Sequence, residues 1–356
     1  MRFNLFLSFV LLFSCDSIDH KNSGNSNSNE DPMIIISSQI ENDITNDALY
    51  LKRAKINIER NRYKEALKDL NLAHSFDTTK AETHFLLGNV LLELAKRGDG
   101  SEESLKKASK HFYTSVKYGY NLALSYKNAG EIFMHRGIID NRNTELLNTS
   151  IQLLEESIRV DATNSHTFIL LGYAYSEKDR IEEAINCFNK SIELNSNNEE
   201  AYLQLGNLYL SMQDSSSINF YKKVLNLNSE NRLAWYNLGL SYHMNGELSK
   251  SQDAYHKIIE FGIKDQFYIN ANDNLAMMFM EDLKDYKNAL NNYLIEIIRV
   301  NPNHTLALFR IGICYQSLGD VRNAEEYYRK TLQISPDFEE AKTRLDKLLS
   351  DNEKYK

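Results

Sequence analysis

The sequence predicts an all-α solenoid of about eight consecutive helix-turn-helix units, closed by one further helix at the C-terminal end. Three observations carry this. Residues 168–175, 202–209, 235–242 and 308–315 share one pattern: an aromatic residue or Leu, an aliphatic-Gly pair three and four positions on, and a Tyr three further. A small residue, an aromatic four on and another small residue three on then follow, as in Ala184, Phe188 and Ser191 or Ala324, Tyr328 and Thr331. The i, i+3, i+4 spacing places each set on one helix face. Only three prolines occur in 356 residues, and Pro is the residue that breaks helical hydrogen-bond ladders. A recurring unit of this length dictates a whole architecture.

The first element is residues 1–14. Arg2, an apolar run from Phe3 to Phe13 and the small Ser14 form a secretory signal too short to span a bilayer. Leu12-Phe13-Ser14-Cys15 resembles the lipobox of bacterial lipoproteins, with Phe13 where a small or aliphatic residue is usual. That resemblance implies that Cys15 receives diacylglycerol and becomes the mature N-terminus, anchoring the protein to a membrane of a bacterial cell envelope. A signal peptide cut elsewhere, or a buried N-terminal helix with an incidental Cys15, is the alternative. Residues 15–46 begin polar and rich in Asn and Ser, which predicts a disordered tether. Met33-Ile34-Ile35-Ile36 interrupts it, to pack on the first repeat or to pair as a short strand, packing being favoured.

From residue 47 the units follow one another. Their landmark positions are Gly88, Gly130, Gly172, Gly206, Gly239, Ala276 and Gly312, spaced 42, 42, 34, 33, 37 and 36. An earlier unit carries Tyr50, Ala54, Tyr63, Ala66, Leu70 and Ala73, with Arg53 and Asn57 in place of apolar landmarks. The predicted repeats are 47–80, 81–122, 123–164, 165–198, 199–231, 232–268, 269–304 and 305–338. Each has a helix A with the aliphatic-Gly pair and a helix B with the Ala and aromatic. Gly inside a helix costs roughly 1 kcal/mol against Ala, so its recurrence requires a reason, and close approach of helix B supplies one. Repeats 2 and 3 are eight residues longer, around 96–103 and 137–143. These residues form either edge loops suited to binding or extensions of the helices. Residues 339–350 make the capping helix, with Ala341, Leu345, Leu348 and Leu349 covering the last repeat, and 351–356 are a tail.

These landmarks resemble the tetratricopeptide repeat, a unit of about 34 residues. The resemblance covers residues 47–350 and implies a right-handed superhelix whose A helices line a concave groove. Its groove positions fall here on Leu51 and Lys55, Phe85 and Asn89, Lys127 and Glu131, Ile169 and Tyr173, Leu203 and Asn207, Tyr236 and Leu240, Asp273 and Met277, and Phe309 and Ile313. The candidate partner-binding set is Tyr173, Leu203, Asn207, Tyr236, Leu240, Met277, Phe309 and Ile313. Such a lining suits a peptide or helix that presents apolar side chains. Leu51 and Phe85 stand where the family's carboxylate-binding members place polar or basic residues, so carboxylate capture is not predicted.

Several function classes drop out. The net charge is −8 without a basic run, which argues against nucleic acid. No P-loop, HExxH, dinucleotide turn or nucleophile elbow occurs. Hence no enzyme activity, cofactor, metal or small-molecule substrate is predicted. The nine histidines are scattered, with no second His or Cys three or four residues away. The prediction is a lipid-anchored scaffold that binds another envelope protein in its groove. The alternative is an assembly factor for outer-membrane protein or for secretion or pilus complexes, acting through its edge loops.

Overall fold

Asparagine starts the helices at several repeat junctions. The Asn164 side chain accepts hydrogen bonds from the backbone N–H groups of His166 and Thr167, Asn198 from that of Ala201, and Asn231 from that of Ala234. Each satisfies a donor that the first helical turn leaves unpaired, worth about 1 kcal/mol. The abundance of Asn therefore has a structural role at these junctions.

The computed structural model describes residues 31–354, and among them every regular element is helical. Eight helix pairs match the predicted repeats. They are α2 (Asp47–Glu59) with α3 (Tyr63–Phe76), α4 (Ala81–Lys96) with α5 (Glu102–Lys117), α6 (Leu122–Ile139) with α7 (Thr144–Val160), and α8 (Ser165–Ser176) with α9 (Ile181–Leu194). Then follow α10 (Glu199–Ser211) with α11 (Ser217–Leu227), α12 (Arg232–Met244) with α13 (Leu248–Glu260), α14 (Gln266–Glu281) with a broken helix, and α17 (Thr305–Ser317) with α18 (Val321–Ile334). The broken helix is α15 (Tyr286–Asn288), a π turn over Ala289–Leu294, and α16 (Ile295–Val300). The chain folds as two compact units, divided between Leu194 and Asn195.

The landmark glycines sit against a helix-B side chain, a ring at Gly88, Gly172, Gly206, Gly239 and Gly312 but Leu154 at Gly130, where the predicted aromatic is missing. A Cβ on Gly206 would lie 2.7 Å from the Tyr221 ring, and one on Gly312 would lie 2.6 Å from the Tyr328 ring. Both tyrosines are fully buried. The recurring Gly trades helix propensity for this close approach.

Repeat 7 departs from the pattern in two coupled ways. Its landmark is Ala276, and its helix B carries a π turn at which Tyr293 and the adjacent Leu294 are both buried, with Ile297 the next buried position. In the other units of this half, Tyr221 to Val224, Tyr255 to Ile258 and Tyr328 to Thr331 are three apart. Leu294 to Ile297 keeps that three-residue spacing, and the π turn holds Tyr293 in the core beside Leu294. Helix α14 also starts at Gln266, ahead of the predicted 269, because Asp265 caps it through the N–H groups of Phe267 and Tyr268.

Two further differences concern the ends and the inserts. The tether predicted over 15–46 gives way to helix α1 (Pro32–Asn42), which Pro32 and the capping Asp31 start. Ile36 and Ile40 are buried in it against Tyr50 and Ala73, so α1 closes the open end of repeat 1. It packs there and leaves the groove positions Leu51 and Lys55 uncontacted by its core face. Of the tether, 15–30 lies outside the described residues, as do the signal segment and Cys15. The extra residues of repeats 2 and 3 lengthen helices: α4 has 16 residues and α6 has 18, against 12 in α8. The turns at 97–101 and 140–143 are as tight as that at 177–180. No edge loops form at either place. At the other end α19 (Glu339–Lys354) buries Ala341, Leu345 and Leu348 against Phe309, Ala324 and Tyr328, and it runs into the segment predicted as a tail.

Candidate interaction surface

The A helices carry two rows of predicted groove residues, and packing separates them. Residues three before the landmark are mostly core: Phe85, Ile169, Leu203 and Phe309 are buried. Residues one after it are half-exposed at Asn89, Tyr173, Asn207, Leu240, Met277 and Ile313. This corrects the expectation for Leu203 and Phe309. Leu203 is 9% exposed and packs with Leu238, Ile218 and Tyr221. Phe309 is 3% exposed, with its ring centroid 4.9 Å from that of Phe338 and 5.9 Å from that of Tyr328. Neither side chain is offered to a partner.

In the C-terminal unit the surface that remains is Asn207, Tyr236, Leu240, Met277 and Ile313. Tyr236 keeps a half-exposed ring although it lies in the inner row, because α13 and α14 wedge it between the rings of Tyr255, at 5.9 Å, and Phe267, at 6.2 Å. The Asn274 side-chain N–H donates to its hydroxyl at 3.2 Å. Burial pushes the Tyr236 phenol above its ordinary range, so it stays a neutral donor and acceptor. Asn207 is committed internally: its Oδ1 accepts from the Tyr221 hydroxyl at 2.8 Å and from Asn237 Nδ2 at 3.0 Å. Asp273, a carboxylate in an apolar lining, is neutralised by an ion pair with Arg310 from the next repeat. The lining thus behaves as apolar: the polar atoms of Asn207, Tyr236 and Asp273 are paired, and the Tyr255 hydroxyl behind Tyr236 is buried without a partner.

The N-terminal unit differs. Tyr173 lies half-buried with its ring edge toward Phe188, 5.8 Å between centroids. Around the equivalent positions of repeats 1–3, however, charges dominate. Lys55 pairs with Glu82 at 2.7 Å, Asn128 donates to Asn89 at 2.7 Å, and Lys96 pairs with the buried Glu131 at 2.6 Å. Burial pushes the Glu131 carboxyl up, but Lys96 and Lys127 outweigh it and hold the group below the usual carboxylate range. An apolar segment has no counterpart there. Sequence reasoning missed Asn274, Arg310 and Phe267 as groove neighbours, and the signal available for Arg310 was its place one repeat after Asp273.

A family model described as TPR repeat matches residues 172–213, and one described as tetratricopeptide repeat matches residues 305–338, the span of the eighth predicted unit. These segments carry tetratricopeptide repeats, and the whole described chain is a helical-repeat solenoid in architecture. Among solved structures, the chain is similar to YrrB, a TPR protein with an unusual peptide-binding site. The two are 16% identical over 56% of this chain and 95% of that one, with a TM-score of 0.45. A tetratricopeptide repeat protein from Parabacteroides merdae is 16% identical over 75% of this chain and 98% of its own, TM-score 0.48. MamA is 24% identical over 47% of this chain and 91% of its own, TM-score 0.41. No curated protein matches the chain.

Proposed function

We propose that this protein is a non-catalytic interaction scaffold that receives an apolar peptide segment or helix face of a partner on its C-terminal unit. The observation that carries this reading is the half-exposed row Tyr236, Leu240, Met277 and Ile313 on successive A helices. Aromatic residues and Met are the usual anchors of such surfaces. The polar atoms of Asn207, Tyr236 and Asp273 beside them are paired, so docking an apolar side chain over these groups leaves none of them stranded. The extended helices of repeats 2 and 3 take away the loops on which an edge-acting assembly factor would depend. Replacing Tyr236, Leu240, Met277 and Ile313 together with Ser should weaken partner capture by cross-linking about 100-fold or more, measured below the thermal transition, which falls because Tyr236, Leu240 and Ile313 also pack on the core. Undiminished capture by a folded variant sinks this reading.

The setting we propose is a bacterial cell envelope, with the scaffold held at a membrane by lipid on Cys15. The support is the apolar run that ends in Leu12-Phe13-Ser14-Cys15 and the polar stretch after it. Cys15→Ser should move the protein from the detergent phase to the aqueous phase on detergent partitioning. Retention of that variant with membranes assigns the anchor elsewhere. The partner is then another envelope protein.

A further inference from the structure

Three histidines that lie far apart in the chain meet at the junction of repeats 1 and 2. His74 comes from α3, His84 from α4 and His111 from α5. Their ring centroids are 4.8 Å (His74 to His84), 5.1 Å (His84 to His111) and 5.8 Å (His74 to His111) apart. His84 is buried. Its Nε2 lies 2.9 Å from the Thr78 carbonyl oxygen, and its Nδ1 lies 2.9 Å from Nδ1 of His111. His74 Nδ1 is buried without a hydrogen-bond partner. The rings are not gathered about an ion: among the described residues no three His, Cys, Asp or Glu side chains are placed to hold a metal.

The proton count admits one neutral arrangement. A carbonyl only accepts, so the proton of His84 sits on Nε2 and its Nδ1 is an acceptor. His111 therefore donates from Nδ1. A second proton on His84 would set two N–H groups against each other at the same 2.9 Å. A proton on His111 or His74 would add charge beside two other imidazoles in a poorly solvated junction. The other charges acting on these rings are few. Asp77, just past α3, favours protonation of His74, and Lys110 on α5 opposes that of His111. Neither α2 nor α6, packed on the outer sides of α3 and α5, adds a charge to either balance.

We propose that His74, His84 and His111 form an acid-released clasp between the first two repeats, closed while the rings are neutral and opened as they take up protons. Burial first, then the neighbouring imidazoles, lowers the affinity of His74 and His111 for a proton, that of His111 down to about 4. An unfolded histidine titrates near 6.5. Between these values the open form binds more protons than the closed one. The clasp is therefore at full strength above about pH 6.5 and weakens as pH falls toward 4. What it would release is the apolar seam of Leu70 and Ala66 against Leu87, Val90 and Leu94.

The test is hydrogen exchange of the full chain at pH 7.5 and 5.0, corrected for the intrinsic pH dependence of exchange. Helices α10 and α11, which contain no histidine, serve as the internal reference. Relative to them, amides of α3 and α4 should open roughly 10- to 30-fold more often at pH 5.0. In His111→Gln that ratio should fall below about threefold. An unchanged ratio in the wild type overturns the clasp, as does an undiminished ratio in the folded variant. Should His111→Gln fail to fold, imidazole NMR titration of the wild type decides: a His111 midpoint well below 6.5 supports the clasp, and one at or above 6.5 overturns it.

Discussion

Phe309→Ala should lower the stability of the C-terminal repeat by about 3–5 kcal/mol, the usual range for emptying an aromatic site in a core. The side chain sits under Phe338, over Tyr328 and in the cluster that α19 closes with Ala341, Leu345 and Leu348. Arg344 lies 5.8 Å from its ring centroid and seals the far side. The loss should appear first as early exchange of α17, α18 and α19 in hydrogen-exchange profiles, ahead of global denaturation in urea. Ile313, four residues on and partly exposed, gives the opposite separation: a Ser there should cost less stability than Phe309→Ala and impair capture. If Phe309→Ala leaves the urea midpoint unchanged while capture is lost, then Phe309 belongs to the binding surface after all.

Asp69→Ala should cost about 3 kcal/mol in the first repeat. The Asp69 carboxylate is 4% exposed and accepts from Arg53 Nε at 3.0 Å, Arg53 Nη2 at 2.7 Å and Asn57 Nδ2 at 3.2 Å. Truncation strands a guanidinium and a buried amide together, and breaking such a pair from one side is the destabilising operation. The figure belongs at the lower end of the range because the Arg53 side chain remains 24% exposed and can rehydrate in part. Replacing both partners, with Asp69→Leu and Arg53→Met, should recover most of the loss, since the desolvation cost then disappears along with the pair. Urea denaturation of the two variants checks both statements, and a double variant weaker than Asp69→Ala contradicts the account.

Arg53 and Asn57 illustrate how far the sequence could be read. Both stood out as polar residues at landmark positions of repeat 1, but their partner Asp69 is on the facing helix, and no periodicity names it. The helix pairs themselves were legible because each landmark Gly faces a large side chain of helix B in the same repeat, a ring everywhere but at Gly130, and spacing reports that local relation. Helix α1 was readable and was not read: Asp31-Pro32 is a helix start, and Ile36 and Ile40 are four apart. The inner groove row failed for a different reason. Whether Leu203 or Phe309 reaches solvent depends on what the following repeat or cap lays over it, which is tertiary information. The histidine junction is the extreme case, drawing one ring from each of three helices.

Within each unit, most helices pack chiefly on the helices next to them in the chain, α2 on α3, α3 on α4, α17 on α18, α18 on α19. Contacts of such short sequence separation need little loop closure, and folds built from them form fast. A chain made from its N-terminus can therefore complete each helix pair soon after that pair is synthesised, with α1 already available to cover the first. The last pair has no such protection until residues 339–350 exist. Truncation inside α19 is thus the lesion most prone to leave an apolar face for aggregation, while the repeats before it have already folded.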